Sequence, residues 1–420
     1  MLRDYVLAFS IVLAGFSSKI LADEITVEFS GFASVALSYS DDQEIGFRSN
    51  YLNNSETGWS LKRDSIVGGQ VNLGLSANWD SVVQVVYQDR QNKVFDNFLE
   101  LAFLRYRPNR NWALRAGRLN SDLYLLSEYP YVGYAYLWAR PPHEFYSFAS
   151  TLGHFDGADV EYRRDIADGF LRVKLAGGSA TPKLGNGDEE FSVKFDDLYT
   201  LSAVYVNDNW TYRASSSSLN IAEFTSGTYN YLITSLLAIP GSLWAQASSL
   251  ARGLDSQYHS ATYHALGVTY ENSNWTLQSE IAKANSRWLL IPSNTTGYLS
   301  LAYRLDNVSY YGGVSYVKNK DELPLITLPE LPDYLPPETQ QGLVQLAYGV
   351  ETVIQRTTPH QYSFNLGMKW YASDDVVFKA QLDHFILQKE GGGLWDIDAK
   401  QQIESQHHIN LFSLSASTVF

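Results

Sequence analysis

Residues 24–40 read EITVEFSGFASVALSYS, and in that run Ile25, Val27, Phe29, Gly31, Ala33, Val35, Leu37 and Tyr39 hold the odd positions. The even positions carry Thr26, Glu28, Ser30, Ser34 and Ser38, so one face is apolar and the other wet. The end of the chain repeats the pattern with opposite parity. There Phe412, Leu414, Ala416, Thr418 and Phe420 share one side, and Ser413, Ser415 and Ser417 the other. Leu171, Val173 and Leu175 alternate with Arg172 and Lys174, and Tyr362, Phe364, Leu366, Met368 and Trp370 with Ser363, Asn365 and Lys369. Such runs are about 9 to 13 residues long, the length a tilted strand needs to cross a bilayer.

Alternation alone fits a soluble sandwich as well as a membrane barrel; the connections separate them. Short polar turns stand at 78–80, 108–111, 167–169, 207–209, 272–274, 306–307 and 373–375. Long connections fall at 41–63, 91–96, 119–155, 179–196, 219–259, 286–296, 319–359 and 388–406. Seven short turns and eight long loops predict an all-β transmembrane antiparallel barrel of sixteen strands, both termini on the turn side. A hairpin hidden in 219–259 or 319–359 would make it eighteen. Trp79, Trp112, Trp210 and Trp275 each begin a strand just after an asparagine-containing turn. There an indole keeps its ring in lipid and its N–H at headgroup level, as in an aromatic girdle.

Composition agrees. The chain has 420 residues, no cysteine, 29 tyrosines and 10 tryptophans, and a formal net charge of -14, which speaks against a nucleic-acid binder. Arg3, the apolar stretch 5–16 and a small residue at Ala22 predict a cleaved export leader over 1–22, with 23–420 as the mature barrel; a short N-terminal anchor is the alternative.

Together the leader, the amphipathic strands and terminal Phe420 resemble the Gram-negative outer-membrane porins. ELAFLRYRPNRNWALRAGRL at 100–119 and VGYAYLWARPPHEFY at 132–146 resemble a gammaproteobacterial porin-like group. The resemblance implies a trimeric, water-filled channel in the bacterial outer membrane, lipid and lipopolysaccharide around it, and Phe420 as the assembly signal read by the barrel-assembly machinery. It also implies that the third long loop, 119–155, folds inward as a constriction.

That loop holds Tyr124, Tyr129, Tyr131, Tyr134, Tyr136, Trp138, Phe145, Tyr146 and Phe148, too many aromatics for open water. An external loop used for subunit contact or adhesion is the alternative. Its charged candidates for the constriction are Asp122, Glu128, Arg140 and Glu144. By parity the wall opposite offers Arg115, Arg163, Arg172, Lys174, Arg213 and Lys379, against the acids Glu28, Asp159, Glu161, Glu280 and Asp383. A basic wall facing mixed loop charges would set a transverse field favouring small polar solutes, with a slight lean to anions. In the fourth strand Glu100 and Arg105 have opposite parity, which a bulge would resolve.

No metal-spaced histidine pair, phosphate-binding glycine loop or dinucleotide fingerprint occurs, so neither an enzyme nor a cofactor is expected. His384, His407 and His408 fall near the last external loop. Three readings compete: a passive diffusion channel, a solute-specific channel, and a surface adhesin or structural barrel.

Overall fold

A computed structural model describes residues 25–184, 191–257, 259–319, 324–397 and 403–420. The expected leader at 1–22, the acids Asp188, Glu189 and Glu190, and the side chain of Phe148 lie outside the described residues. Sixteen long strands carry the alternation into a closed antiparallel barrel. They are β1 (Thr26–Ser40), β2 (Ile66–Gly74), β3 (Trp79–Gln88), β4 (Leu99–Tyr106), β5 (Trp112–Asn120), β6 (His154–Ile166), β7 (Gly169–Ala180) and β8 (Phe191–Val206). The circuit continues through β9 (Trp210–Thr225), β10 (His259–Glu271), β11 (Trp275–Ser286), β12 (Asn294–Leu305), β13 (Val308–Asn319), β14 (Pro359–Tyr371), β15 (Val376–Gly392) and β16 (His407–Val419). Each pairs with its sequence neighbour, and β1 closes the ring: Thr26 to Ser34 run against β2, and Phe32 to Ser40 against β16. Closure leaves no free sheet edge, which a lipid environment demands. Two further strands, Trp59–Ser60 and Lys183–Leu184, have two residues each and lie in the long loops.

Phe29, Val35, Leu201, Leu266, Ile281, Leu299 and Leu366 point outward and are exposed, while Ser34, Ser215, Ser300, Ser315, Ser363 and Ser413 point inward and are buried. An apolar belt of this kind would aggregate in water, whereas hydrocarbon stabilises each large side chain by roughly 2 kcal/mol.

Each of the four turn-side tryptophans packs, with its ring tilted, against the tyrosine directly opposite it in register. The pairs are Trp79 with Tyr106, Trp112 with Tyr162, Trp210 with Tyr270 and Trp275 with Tyr303, at centroid separations of 4.6, 4.8, 4.7 and 4.8 Å. Asparagine sets three of these starts. The side-chain oxygens of Asn109, Asn207 and Asn272 accept from the backbone N–H of Trp112, Trp210 and Trp275, at 3.1, 2.9 and 2.7 Å, which closes an Asx turn and launches the strand.

The parity conflict in β4 resolves as a bulge. Gln84 pairs with Leu101 and Val85 with Leu99, leaving Glu100 as the extra residue that can point inward. At the seam, Phe420 exchanges backbone hydrogen bonds with Gly31 (2.8 and 3.0 Å), and a Cβ on Gly31 would lie 2.4 Å from the Phe420 ring.

The long loops hold helices that the alternation did not predict. Neither 219–259 nor 319–359 hides a hairpin among the described residues. Instead α2 (Gly227–Leu237), α3 (Ala247–Leu254) and α4 (Pro337–Thr357) pack into one external cluster around Leu236, Trp244, Leu250, Leu254, Val350 and Ile354. Pro337 opens α4 at its first turn, where the missing N–H costs nothing. Among the described residues no helix is long and apolar enough to cross a membrane. The short helix α1 (His143–Ala149) lies in the third loop.

Candidate functional site

The chain leaves β5 at Asn120 and returns at His154, and a Ser121 N–H to Gly153 carbonyl bond of 3.0 Å closes the neck of the loop between them. The loop lies in the bore, because polar groups of the wall meet it almost all the way round. From β7, β8 and β9, Lys174, Ser202 and Arg213 converge on Asp122 at 3.3, 2.5 and 2.6 Å. Burial alone would raise the Asp122 carboxyl, but the Lys174 and Arg213 charges override it and hold it well below the usual carboxylate range. From β11, Glu280 accepts from the Leu125 N–H at 2.8 Å and from the Tyr146 hydroxyl. Ser300 of β12 accepts from the Trp138 indole N–H at 3.0 Å.

On the far side Ser315, Gln361 and Ser363 donate to Glu144. Gln381 of β15 accepts from the Ala139 N–H at 2.9 Å. Lys379 donates to the carbonyls of Gly133, Tyr136 and Trp138, and Lys369 to those of Tyr134 and Tyr136. Arg140 is fully enclosed, paired with Asp64 and with Asp383 at 3.3 Å. Burial raises the Asp64 carboxyl, but Arg140 reverses that and leaves it below its ordinary value. His143 is buried and its ring N–H meets the Arg48 carbonyl at 2.9 Å; burial pushes its pKa down to about 3, so the ring is neutral at physiological pH.

These contacts place the sequence-derived candidates. Asp122, Arg140, Glu144, Tyr136 and Trp138 are buried against the wall, while the Tyr134 hydroxyl reaches the Asp374 carbonyl. Arg172 pairs with Glu128, Arg115 with Asp159 and Arg163 with Glu161. Wall cations and loop acids were expected to face one another across water; the structure brings several of them into direct contact, where they fasten the loop. Asp64, Lys369, Gln361 and Gln381 were not among the candidates. The inward parity of the last three was a usable signal, because a buried polar side chain at a wet position needs a partner.

The loop leaves one side of the bore open. A cavity of about 130 Å³ lies between it and the wall, bordered by Ser34, Arg63, Gln88, Tyr131, Arg140 and Ser417. Along β2 and β3, Gln70, Asn72 and Gln84 are half-exposed and bond to one another at 3.0 and 2.8 Å and to nothing in the loop, among the described residues. Arg105 and Arg107 meet Asp80 near the turn end of this strip.

The external histidines do not gather. His384 contacts His408 at 3.2 Å, but His407 turns to Asp42 at 2.6 Å. Among the described residues no three His, Cys, Asp or Glu side chains are placed to hold a metal ion.

No protein-family model matches the sequence, and no curated protein matches it. Solved structures do share its fold. Outer-membrane expressed OmpT of Vibrio cholerae aligns with a TM-score of 0.51 at 11% identity, over 96% of this chain and 100% of that one. Salmonella typhi OmpF, in a complex with daunomycin, aligns at 0.52 and 10% identity over 96% and 100%. Pseudomonas putida OprB aligns at 0.52 and 10% identity over 94% of each chain. The fold is that of the outer-membrane porins. At these identities the likeness is one of architecture, and the side-chain chemistry of this porin-like barrel is its own.

Proposed function

We propose that this protein resides in the bacterial outer membrane and forms a water-filled channel through which small hydrophilic solutes diffuse passively. The observation that carries the reading is the uncovered strip of Gln70, Asn72 and Gln84. The inward loop is bonded to the walls on the opposite side, yet beside β2 and β3 these polar side chains stay only half-buried, bonded to one another, with exposed Glu28 of β1 directly across from Asn72. A barrel built only to display loops would have no use for a hydrated strip beside a tethered plug. In this reading 119–155 is the constriction loop. Arg115, Arg163, Arg172, Lys174, Arg213 and Lys379 belong to the wall that holds it, and the slight lean is to anions. Homotrimeric assembly, contact with lipopolysaccharide and use of Phe420 as an assembly signal complete the proposal; the exposed Phe420 ring at the seam supports the last.

The test is planar-bilayer recording of the refolded mature chain. Stable, stepwise ion currents are expected; their absence would sink the channel reading. Reversal potential in a salt gradient reads the anion lean, and a clear cation preference would overturn it. An unheated detergent gel reads the trimer.

A further inference from the structure

Above the constriction loop the external loops enclose a second and larger cavity of about 560 Å³. Its chemistry is divided. Phe191, Phe224, Tyr229 and Trp288 form an aromatic corner, with Phe224 at 5.9, 5.1 and 5.2 Å from the rings of Phe191, Tyr229 and Trp288. Among the described residues, Arg48, Arg356 and Asp396 are the charged members of the lining. Two cations against one carboxylate give it a positive balance.

Neither arginine is neutralised as the wall arginines below are. Arg48 stacks over Tyr51 at 4.5 Å and donates one hydrogen bond to the Gly393 carbonyl at 3.3 Å. No carboxylate forms a direct ion pair with it among the described residues, although Asp396 is near enough to act on its charge. Arg356 reaches Asp396 only at 3.5 Å, with both side chains well exposed, and Asp396 also accepts from the Ser55 hydroxyl. A guanidinium stacked on a ring presents its planar fork to a carboxylate. Burial lowers the Arg48 pKa, so an arriving anion would meet a cation poor in water and gain accordingly.

We propose that this vestibule is a binding site for organic acids that carry a carboxylate on an apolar, preferably aromatic, body, with Arg48 and Arg356 holding the carboxylate and the Phe224–Trp288 corner holding the body. A further ring fits the edge-to-face and offset geometries the corner already uses. The two contacts are complementary: acetate lacks the body and a phenyl alcohol lacks the charge. The proposal deepens the channel reading and rests on it for transport, whereas binding is measured without it.

The experiment is calorimetric titration of the refolded full chain in detergent with phenylpropionate, 3-phenylpropanol and acetate. Phenylpropionate should saturate one site per chain, with the alcohol and acetate at least tenfold weaker. Arg48→Gln and Arg356→Gln should each weaken phenylpropionate at least tenfold, and Arg48→Lys should restore only part of the loss, because the ammonium lacks the fork. Arg356 is an exposed residue of α4, so its variant reports on the site even where Arg48→Gln misfolds. Equal binding of the alcohol, absent saturation, or an unchanged affinity in Arg356→Gln would overturn the proposal. Ion steps recorded from the same preparation separate the two claims. Steps without phenylpropionate binding would remove the site and leave the channel; binding without steps would do the reverse.

Discussion

Replacing Lys379 with methionine should release the constriction loop while leaving the strand beneath it in place. Lys379 is 4% exposed, and its ammonium donates to three loop carbonyls, those of Tyr136 and Trp138 at 2.8 Å and that of Gly133. Charge-assisted hydrogen bonds contribute about 1.5–3 kcal/mol each, but the freed carbonyls regain some water and Lys369 still holds Tyr134 and Tyr136. Leaving the Gly133 and Trp138 carbonyls short of a donor, at about 1–3 kcal/mol each, puts the expected local loss at about 3–5 kcal/mol. At 1.4 kcal/mol per tenfold, that raises the opening equilibrium of the loop by roughly 100- to 4,000-fold. Hydrogen exchange reads it directly. The Ala135 and Ala139 amides, bonded to the Val132 carbonyl and to Gln381, should lose protection by that factor, while amides of β15 keep theirs. Single-channel records should show larger or noisier currents. Protection at Ala135 and Ala139 unchanged within threefold would refute the claim that Lys379 fastens the loop.

Glu100→Gln strands Arg90, its partner at 2.5 Å and 1% exposed, and should lower stability by about 3–5 kcal/mol in thermal unfolding of the detergent-solubilised barrel; an unchanged transition would show that the bulge serves only geometry. Gly31→Val should impair barrel formation, read as heat-modifiable gel migration, because its Cβ would fall on the Phe420 ring, and Phe420→Ala should partly relieve the defect. Acid should loosen the third loop through His143. Its folded pKa of about 3 lies below the ordinary 6.5, so the unfolded chain binds the extra proton. The stabilisation is complete above pH 6.5 and falls by up to about 1.4 kcal/mol per unit as pH drops towards 3. His143→Gln should flatten that slope between pH 6 and 4, and a wild-type barrel that grew more stable on acidification over this range would contradict the assignment. Asn207→Ala should cost about 0.5–1.5 kcal/mol by removing the bond that launches β9 at Trp210, again by thermal unfolding.

The barrel was legible because a strand with lipid on one side and water on the other must alternate, and residues 24–40 do so throughout. Even the conflict at Glu100 pointed to the bulge that the pairing shows. The external helices were legible in principle: Ala247, Leu250, Ala251 and Leu254 repeat at helical spacing, as do Leu343, Ala347, Val350 and Ile354. The prolines at 324, 329, 332, 336 and 337 and the absence of charge over 224–251 mask that period. The pairings inside the bore were not legible. Lys379 meets carbonyls more than 240 positions away in sequence, and which carbonyls it meets depends on the path of the loop rather than on any local pattern. Parity tells that Lys379 faces inward; it does not tell that the ammonium fastens the loop instead of facing a solute.

The chain has no cysteine, so a single one can be placed anywhere without background. Asn72→Cys lies on the open strip, and Val71→Cys beside it faces outward. If water and ions pass along β2 and β3, a charged, water-soluble thiosulfonate should react with Asn72→Cys and reduce the single-channel current in discrete steps, with Val71→Cys unaffected. A current that flows undiminished after Asn72→Cys has been fully modified would contradict the path.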